Sequence, residues 1–115
     1  MIIELRTYTA RPGRRDDWVR FMHEVVVPFQ TSQGMEILGL FTDESDDDVF
    51  VWMRRFSDEL QMATLRDLVY DSTVWREEIA PRVSEFLVPG SAVIRILRPA
   101  GDAGFLSLPT SKGQP

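Results

Sequence analysis

Arg6 and Tyr8 near the start of the chain, and Trp52 and Arg54 midway along it, are residue types that together can hold a small anion against an aromatic wall. Each pair is spaced two apart, so within a β-strand its members share one face. A guanidinium can grip a carboxylate, phenolate or enolate through two parallel hydrogen bonds, while indole and phenol rings supply the apolar side of a pocket. Tyr8 would then give or take a proton, and Glu4, on the same face, would serve as a base if burial raised its pKa. The catalytic candidates are therefore Glu4, Arg6 and Tyr8, and the ligand-binding candidates are Arg6, Tyr8, Phe50, Trp52, Arg54 and Phe56. A plainer reading pairs Glu4 and Arg6 with Arg54 or with a second chain and buries the rings in an interface.

Other chemistries lack raw material. Without cysteine there are no disulfides, thiolate nucleophiles, iron–sulfur clusters or cysteine-based zinc sites. The one lysine, Lys112, sits among Gly, Pro and Ser near the C-terminus, where nothing would desolvate it into a Schiff-base former. His23 is the single histidine; it falls off the apolar stripe of its helix and one imidazole cannot build a multi-histidine metal site. Asp43, Glu44, Asp46, Asp47 and Asp48 invite a calcium reading, but they lack the glycine and distal glutamate of an EF-hand loop and read as a solvated turn. No cofactor and no metal is expected. Nor is there a Gly-x-Ser-x-Gly element to suggest a serine nucleophile.

The net charge of −5 comes from that one acidic loop; outside it acids and bases balance, and no basic stripe suggests a nucleic-acid partner. No apolar run approaches the roughly eighteen residues of a membrane span, and a soluble, cytoplasmic protein is expected. A length of 115 residues suits one domain, read over residues 1–99, with 100–115 a loose tail.

Several elements must position these side chains. Residues 2–10 alternate with period two, Ile3, Leu5, Thr7 and Thr9 against Ile2, Glu4, Arg6 and Tyr8, as a strand does. From Arg14 the spacing becomes helical through Trp18, Phe21, Met22, Val25, Val26 and Phe29, with a kink or stop expected at Pro28. Met35–Thr42 and Val49–Phe56 read as strands joined by the acidic hairpin. Asp58 is an N-cap candidate with Gln61 three residues on, opening a helix through Leu60, Leu65, Leu68 and Val69. A further helical piece through Trp75, Ile79, Val83 and Phe86 should bend at Pro81, and Ser91–Leu97 closes the set as a strand.

The order β-α-β-β-α-β specifies an α+β, ferredoxin-like fold with helices on one face of an antiparallel sheet. Ile3, Leu5, Val49, Val51 and Met53 are expected beneath the helices. Glu4, Arg6, Tyr8, Phe50, Trp52, Arg54 and Phe56 are expected on the open face, where such an aromatic patch calls for a second copy and hence a homodimer.

Glu4-Leu5-Arg6-Thr7-Tyr8 with Arg11-Pro12-Gly13, Ile37-Leu38-Gly39-Leu40-Phe41, Phe50-Val51-Trp52-Met53-Arg54-Arg55-Phe56, Val74-Trp75-Arg76 and Ile96-Leu97-Arg98-Pro99 occur in this order. Together, over residues 2–99, they resemble the NIPSNAP family. The resemblance implies a dimeric α/β barrel, in a superfamily that also holds cofactor-free monooxygenases, small isomerases and cyclases, and haem-handling enzymes. Fold does not choose among these. The expected function is a homodimeric NIPSNAP-like protein with a pocket for a small aromatic or anionic molecule. Its alternatives are a cofactor-independent monooxygenase, isomerase or cyclase, and a dimeric interaction module without a ligand.

Overall fold

A computed structural model describes residues 1–101. Four strands form one antiparallel sheet: β1 (Ile2–Thr9), β2 (Glu36–Thr42), β3 (Val49–Phe56) and β4 (Val93–Leu97), in the spatial order β2-β3-β1-β4. Between β1 and β2 runs a helical segment made of α1 (Arg15–Phe21), a π-helical turn (Met22–Val26) and α2 (Val27–Ser32). Between β3 and β4 run α3 (Glu59–Tyr70), a second π-helical stretch (Val74–Ile79) and α4 (Ala80–Phe86). This is the expected α+β, ferredoxin-like arrangement. The tail expected over 100–115 lies outside the described residues beyond Gly101.

Both prolines read as breaks are absorbed rather than ending their helices. The Val27 N–H bonds to the Met22 carbonyl and the Ala80 N–H to the Trp75 carbonyl, each five residues back, so the ladder widens just before Pro28 and Pro81. Each proline then stands in the first turn of the next helix, where a missing donor leaves no bond unmade. Gly34, at φ +102°, closes the first helical segment in a conformation L side chains rarely adopt. Asp58 caps α3 by accepting from the Gln61 N–H at 2.8 Å, while the Gln61 side chain reaches back to the Ser57 N–H at 2.6 Å. The reciprocal pair is a capping box displaced by one residue.

The faces of the sheet are the reverse of the sequence expectation. Tyr8, Phe50, Trp52 and Phe56 are buried beneath the helices together with Glu4 and Arg54; Tyr8, Phe50 and Trp52 pack with Trp18, Phe21, Met22, Val26 and Phe86, and Phe56 packs with Ile2, Met35 and Val69. Directly paired residues share a face, so Ile3, Leu5, Thr7, Val51 and Met53 lie on the open side, joined there by Val93, Arg95 and Leu97. The physical reason is volume. Two helical segments stand off the sheet by the length of large side chains, and the aromatic set fills that space where shorter aliphatics would leave voids. Charge misleads here as well, because Glu4 and Arg54 sit opposite one another in register and neutralise each other in the core.

β2 carries an irregularity between Ile37 and Gly39. The Phe41 ring lies over Gly39, close enough that a Cβ there would come within 2.8 Å of it. Arg55, on the open side of β3, forms an ion pair with its cross-strand neighbour Glu36.

The acidic hairpin is organised by a cation of the chain itself. Arg15 Nη1 donates to the carbonyls of Asp43, Asp46 and Val49 at 3.0, 2.7 and 3.2 Å, and Asp43 Oδ1 accepts from the Ser45 and Asp46 N–H groups. A guanidinium thus occupies the carbonyl cluster that a calcium loop would offer its ion. Arg15→Gln is expected to lower stability by about 1–2 kcal/mol, read from urea unfolding. An unchanged midpoint would show the hairpin to hold itself.

Candidate functional site

Register places the site. Antiparallel pairing sets Arg6 opposite Trp52 and Tyr8 opposite Phe50. Arg6, Tyr8 and Trp52 form the floor of a cavity of about 310 Å³ between the sheet and the helices, at the small end of ligand-pocket volumes. Trp18 and Met22 wall it from the first helical segment, and Tyr70 and Trp75 from the second. The rim is the connection Leu87–Ala92 leading into β4. Of the sequence candidates, Arg6, Tyr8 and Trp52 come together here. Phe50 and Phe56 are fully buried in the core beside it, and Glu4 and Arg54 lie in a sealed layer beneath it.

That layer is an ion network. Arg54 Nε donates to Glu4 Oε1 at 2.7 Å, and Arg54 Nη1 donates to Gln30 Oε1 at 2.8 Å and to the Tyr70 hydroxyl at 3.0 Å. The other Glu4 oxygen accepts from Arg6 Nη1 and faces Arg66 Nη2, both at 3.3 Å. Both carboxylate oxygens are therefore committed to guanidiniums, and the side chain has no exposed surface. This geometry gives Glu4 the task of holding Arg6 and Arg54 in place and no open path to a substrate proton. Arg54 is likewise spent on internal partners.

Arg6 also donates from Nε to the Tyr8 hydroxyl at 2.7 Å. Burial works against the Arg6 charge, yet Tyr8, Tyr70 and Glu4 together outweigh it and hold its pKa above the ordinary value. Burial pushes the Tyr8 hydroxyl up from its ordinary value, and the Arg6 charge offsets only part of that. The folded chain thus holds the Tyr8 proton more tightly than the unfolded chain. Its contribution to stability is complete below the ordinary tyrosine pKa near 10 and is lost as pH rises from there through the raised folded value. With only two tyrosines in the chain, tyrosinate absorbance against pH is expected to show a late component that disappears in Tyr8→Phe. A Tyr8→Phe curve with the late component intact would refute the assignment.

Tyr70, Gln30 and Arg66 escape the sequence reading, and Trp18 and Trp75 enter it as apolar helix positions, Trp75 also within a motif, but not as site candidates. A signal existed for Gln30. It lies four residues after Val26 on the buried stripe, and a polar residue there must find a buried partner. His23 is exposed on the π-helical turn, away from the cavity, and Phe41 and Leu38 are exposed on or beside the open face. Among the described residues no helix is long and apolar enough to cross a membrane, and no group of three or more His, Cys, Asp or Glu is placed to hold a metal ion.

No family model matches the chain, and no curated protein matches it in sequence. Solved structures do match in fold. A NIPSNAP domain protein from Burkholderia xenovorans superposes with a TM-score of 0.78 at 20% identity, covering 90% of this chain and 98% of that one. A NIPSNAP family protein of unknown function from Agrobacterium tumefaciens gives 0.78 at 22% identity, covering 90% and 91%. An antibiotic biosynthesis monooxygenase gives 0.62 at 15% identity, covering 85% and 97%. The motifs that resemble the NIPSNAP family and the superposition of the backbone agree: the chain has the fold of the NIPSNAP proteins.

Proposed function

We propose that this is a NIPSNAP-like homodimeric protein that binds a small organic molecule in the cavity between its sheet and helices. One observation carries the reading: aromatic rings from five separate elements surround about 310 Å³ of space whose floor holds Arg6. A purely structural core would close over such a space, since interiors pack to the density of organic crystals. Homodimerisation rests on the open face of the sheet. Phe41, Val93 and Leu97 are exposed there, with Leu5, Val51 and Met53 half-buried between them, and such a patch is covered most simply by its own copy about a two-fold axis. Sedimentation should give about twice the chain mass of 13.2 kDa; a stable species at the chain mass would remove the dimer.

The binding test uses 1-anilinonaphthalene-8-sulfonate, whose emission rises in apolar surroundings. Ala92→Trp places a large ring at the exposed rim without touching the core. Emission is expected with the native chain and is expected to fall at least severalfold with Ala92→Trp. Equal emission from both would place the dye elsewhere and count against the cavity.

A second reading, a cofactor-independent enzyme of the monooxygenase type, is favoured by the backbone likeness to an antibiotic biosynthesis monooxygenase and by the Tyr8 hydroxyl on the cavity floor. In that case Tyr8 and Arg6 would stabilise negative charge developing on a substrate oxygen. Turnover abolished in Tyr8→Phe with binding retained would separate catalysis from binding.

A further inference from the structure

We infer that the cavity selects an organic acid: a flat apolar body with a carboxylate seated on Arg6. The inference rests on the proposal that the cavity binds a small molecule, and it names the class. Two independent observations carry it.

The first is a census of hydrogen-bonding groups. Tyr8 accepts from Arg6 and Tyr70 accepts from Arg54, so each hydroxyl has an N–H at its oxygen and must send its own proton elsewhere. Neither proton has an acceptor among the described residues. The indole N–H groups of Trp18 and Trp52 also lack a hydrogen-bond partner, but they have almost no accessible surface and turn away from the open space, so the hydroxyls and Arg6 are the groups a ligand meets. All four rings line the cavity, and so does Arg6, whose Nη2 makes no hydrogen bond among the described residues. The Tyr8 and Tyr70 hydroxyls and Arg6 thus present donors without acceptors at the cavity lining, and a donor left without an acceptor is destabilising. A carboxylate brings two oxygens with about four lone-pair sites and no proton of its own. A neutral amide would set its N–H₂ against these donors.

The second is charge. Arg6, Arg54 and Arg66 converge on the single carboxylate of Glu4, and among the described residues no other carboxylate lies within 4 Å of any of them. Three guanidiniums on one carboxylate leave an excess of positive charge at the cavity floor, where low dielectric makes it felt. Arg54 is sealed and Arg66 opens toward solvent, so Arg6 is the cation that meets a ligand.

The test compares three probes of nearly one shape, 1-naphthoate, 1-naphthamide and 1-naphthylmethylamine, at neutral pH. Trp18, Trp52 and Trp75 are all the tryptophans of the chain and all line the cavity, so quenching of intrinsic fluorescence reports occupancy directly. Naphthoate is expected to bind at least about tenfold more tightly than naphthamide, as suits hydrogen bonds to a charged group. That preference is expected to shrink below about threefold in Arg6→Gln and to persist in Arg6→Lys, which keeps the charge if the glutamine variant fails to fold. Equal binding of acid and amide, or tightest binding of the amine, overturns the acid inference and leaves the cavity as a binding site. Binding of none of the three overturns the cavity reading along with it.

Discussion

Glu4→Ala is expected to cost about 3–5 kcal/mol of folding stability, measured by urea unfolding, because it removes the carboxylate that, alone among the described residues, answers a fully buried guanidinium. Glu4 and Arg54 have no exposed side-chain surface, so water does not replace the lost carboxylate. Arg6 and Arg66 would be left facing Arg54 with nothing between them. Against the roughly 5–15 kcal/mol that holds an ordinary domain together, this brings the chain close to unfolding. Glu4→Gln separates charge from shape: it keeps the volume and one acceptor oxygen, and should recover only a minor part of the loss. A Glu4→Ala variant within about 1 kcal/mol of the native chain would show that water reaches the pair. The same network explains why a charged strand residue can lie beneath helices. Arg54 spreads its donors over Glu4, Gln30 and Tyr70, so ion pairing and hydrogen bonding act together against desolvation.

The next largest effect is expected at Trp18. Its ring meets Tyr8 edge-on at 5.9 Å and Phe50 at 6.0 Å, and it packs on Phe21 and Phe86, so one side chain ties β1 and β3 to α1 and α4. Trp18→Ala should lose about 3–5 kcal/mol, the range for deleting a large aromatic from a core. Trp18→Phe should lose well under half of that. It keeps most of the edge-to-face contact and removes an N–H that has no partner, so part of the lost burial is offset. Thermal unfolding of the two variants side by side checks the ratio, and equal losses would mean that a phenyl ring keeps none of the Trp18 packing. Because Trp18 also lines the cavity, Trp18→Ala is expected to enlarge it while weakening the fold. Stability and cavity volume are coupled through this residue.

Much of the molecule is legible in the residues alone. Period-two alternation over residues 2–10 marks β1, the three-and-four spacing from Trp18 to Phe29 marks the first helical segment, and Asp58 with Gln61 marks the start of α3. These signals are local: backbone geometry repeats every two or 3.6 residues, and each pattern needs only its own segment. The pairing of Arg6 with Tyr8 on one face follows from the same periodicity, and the element order specifies the sheet.

Periodicity divides a strand into two sets but does not say which set meets the helices. In β1 and β3 both sets are apolar enough to be buried, and the set that carries Glu4, Arg6 and Arg54 looks like the one meant for solvent or a partner. Tertiary structure reverses that assignment. Volume decides it, since only the aromatic set fills the space under the helices, and charge permits it, since Glu4 meets Arg54 across the strands and Gln30 and Tyr70 arrive from elements far away in sequence. The sequence by itself determined which side chains travel together, because that depends on the repeat of one strand. Only the folded chain decided that they enclose a cavity beneath the helices, because that depends on how much room two separate layers leave between them.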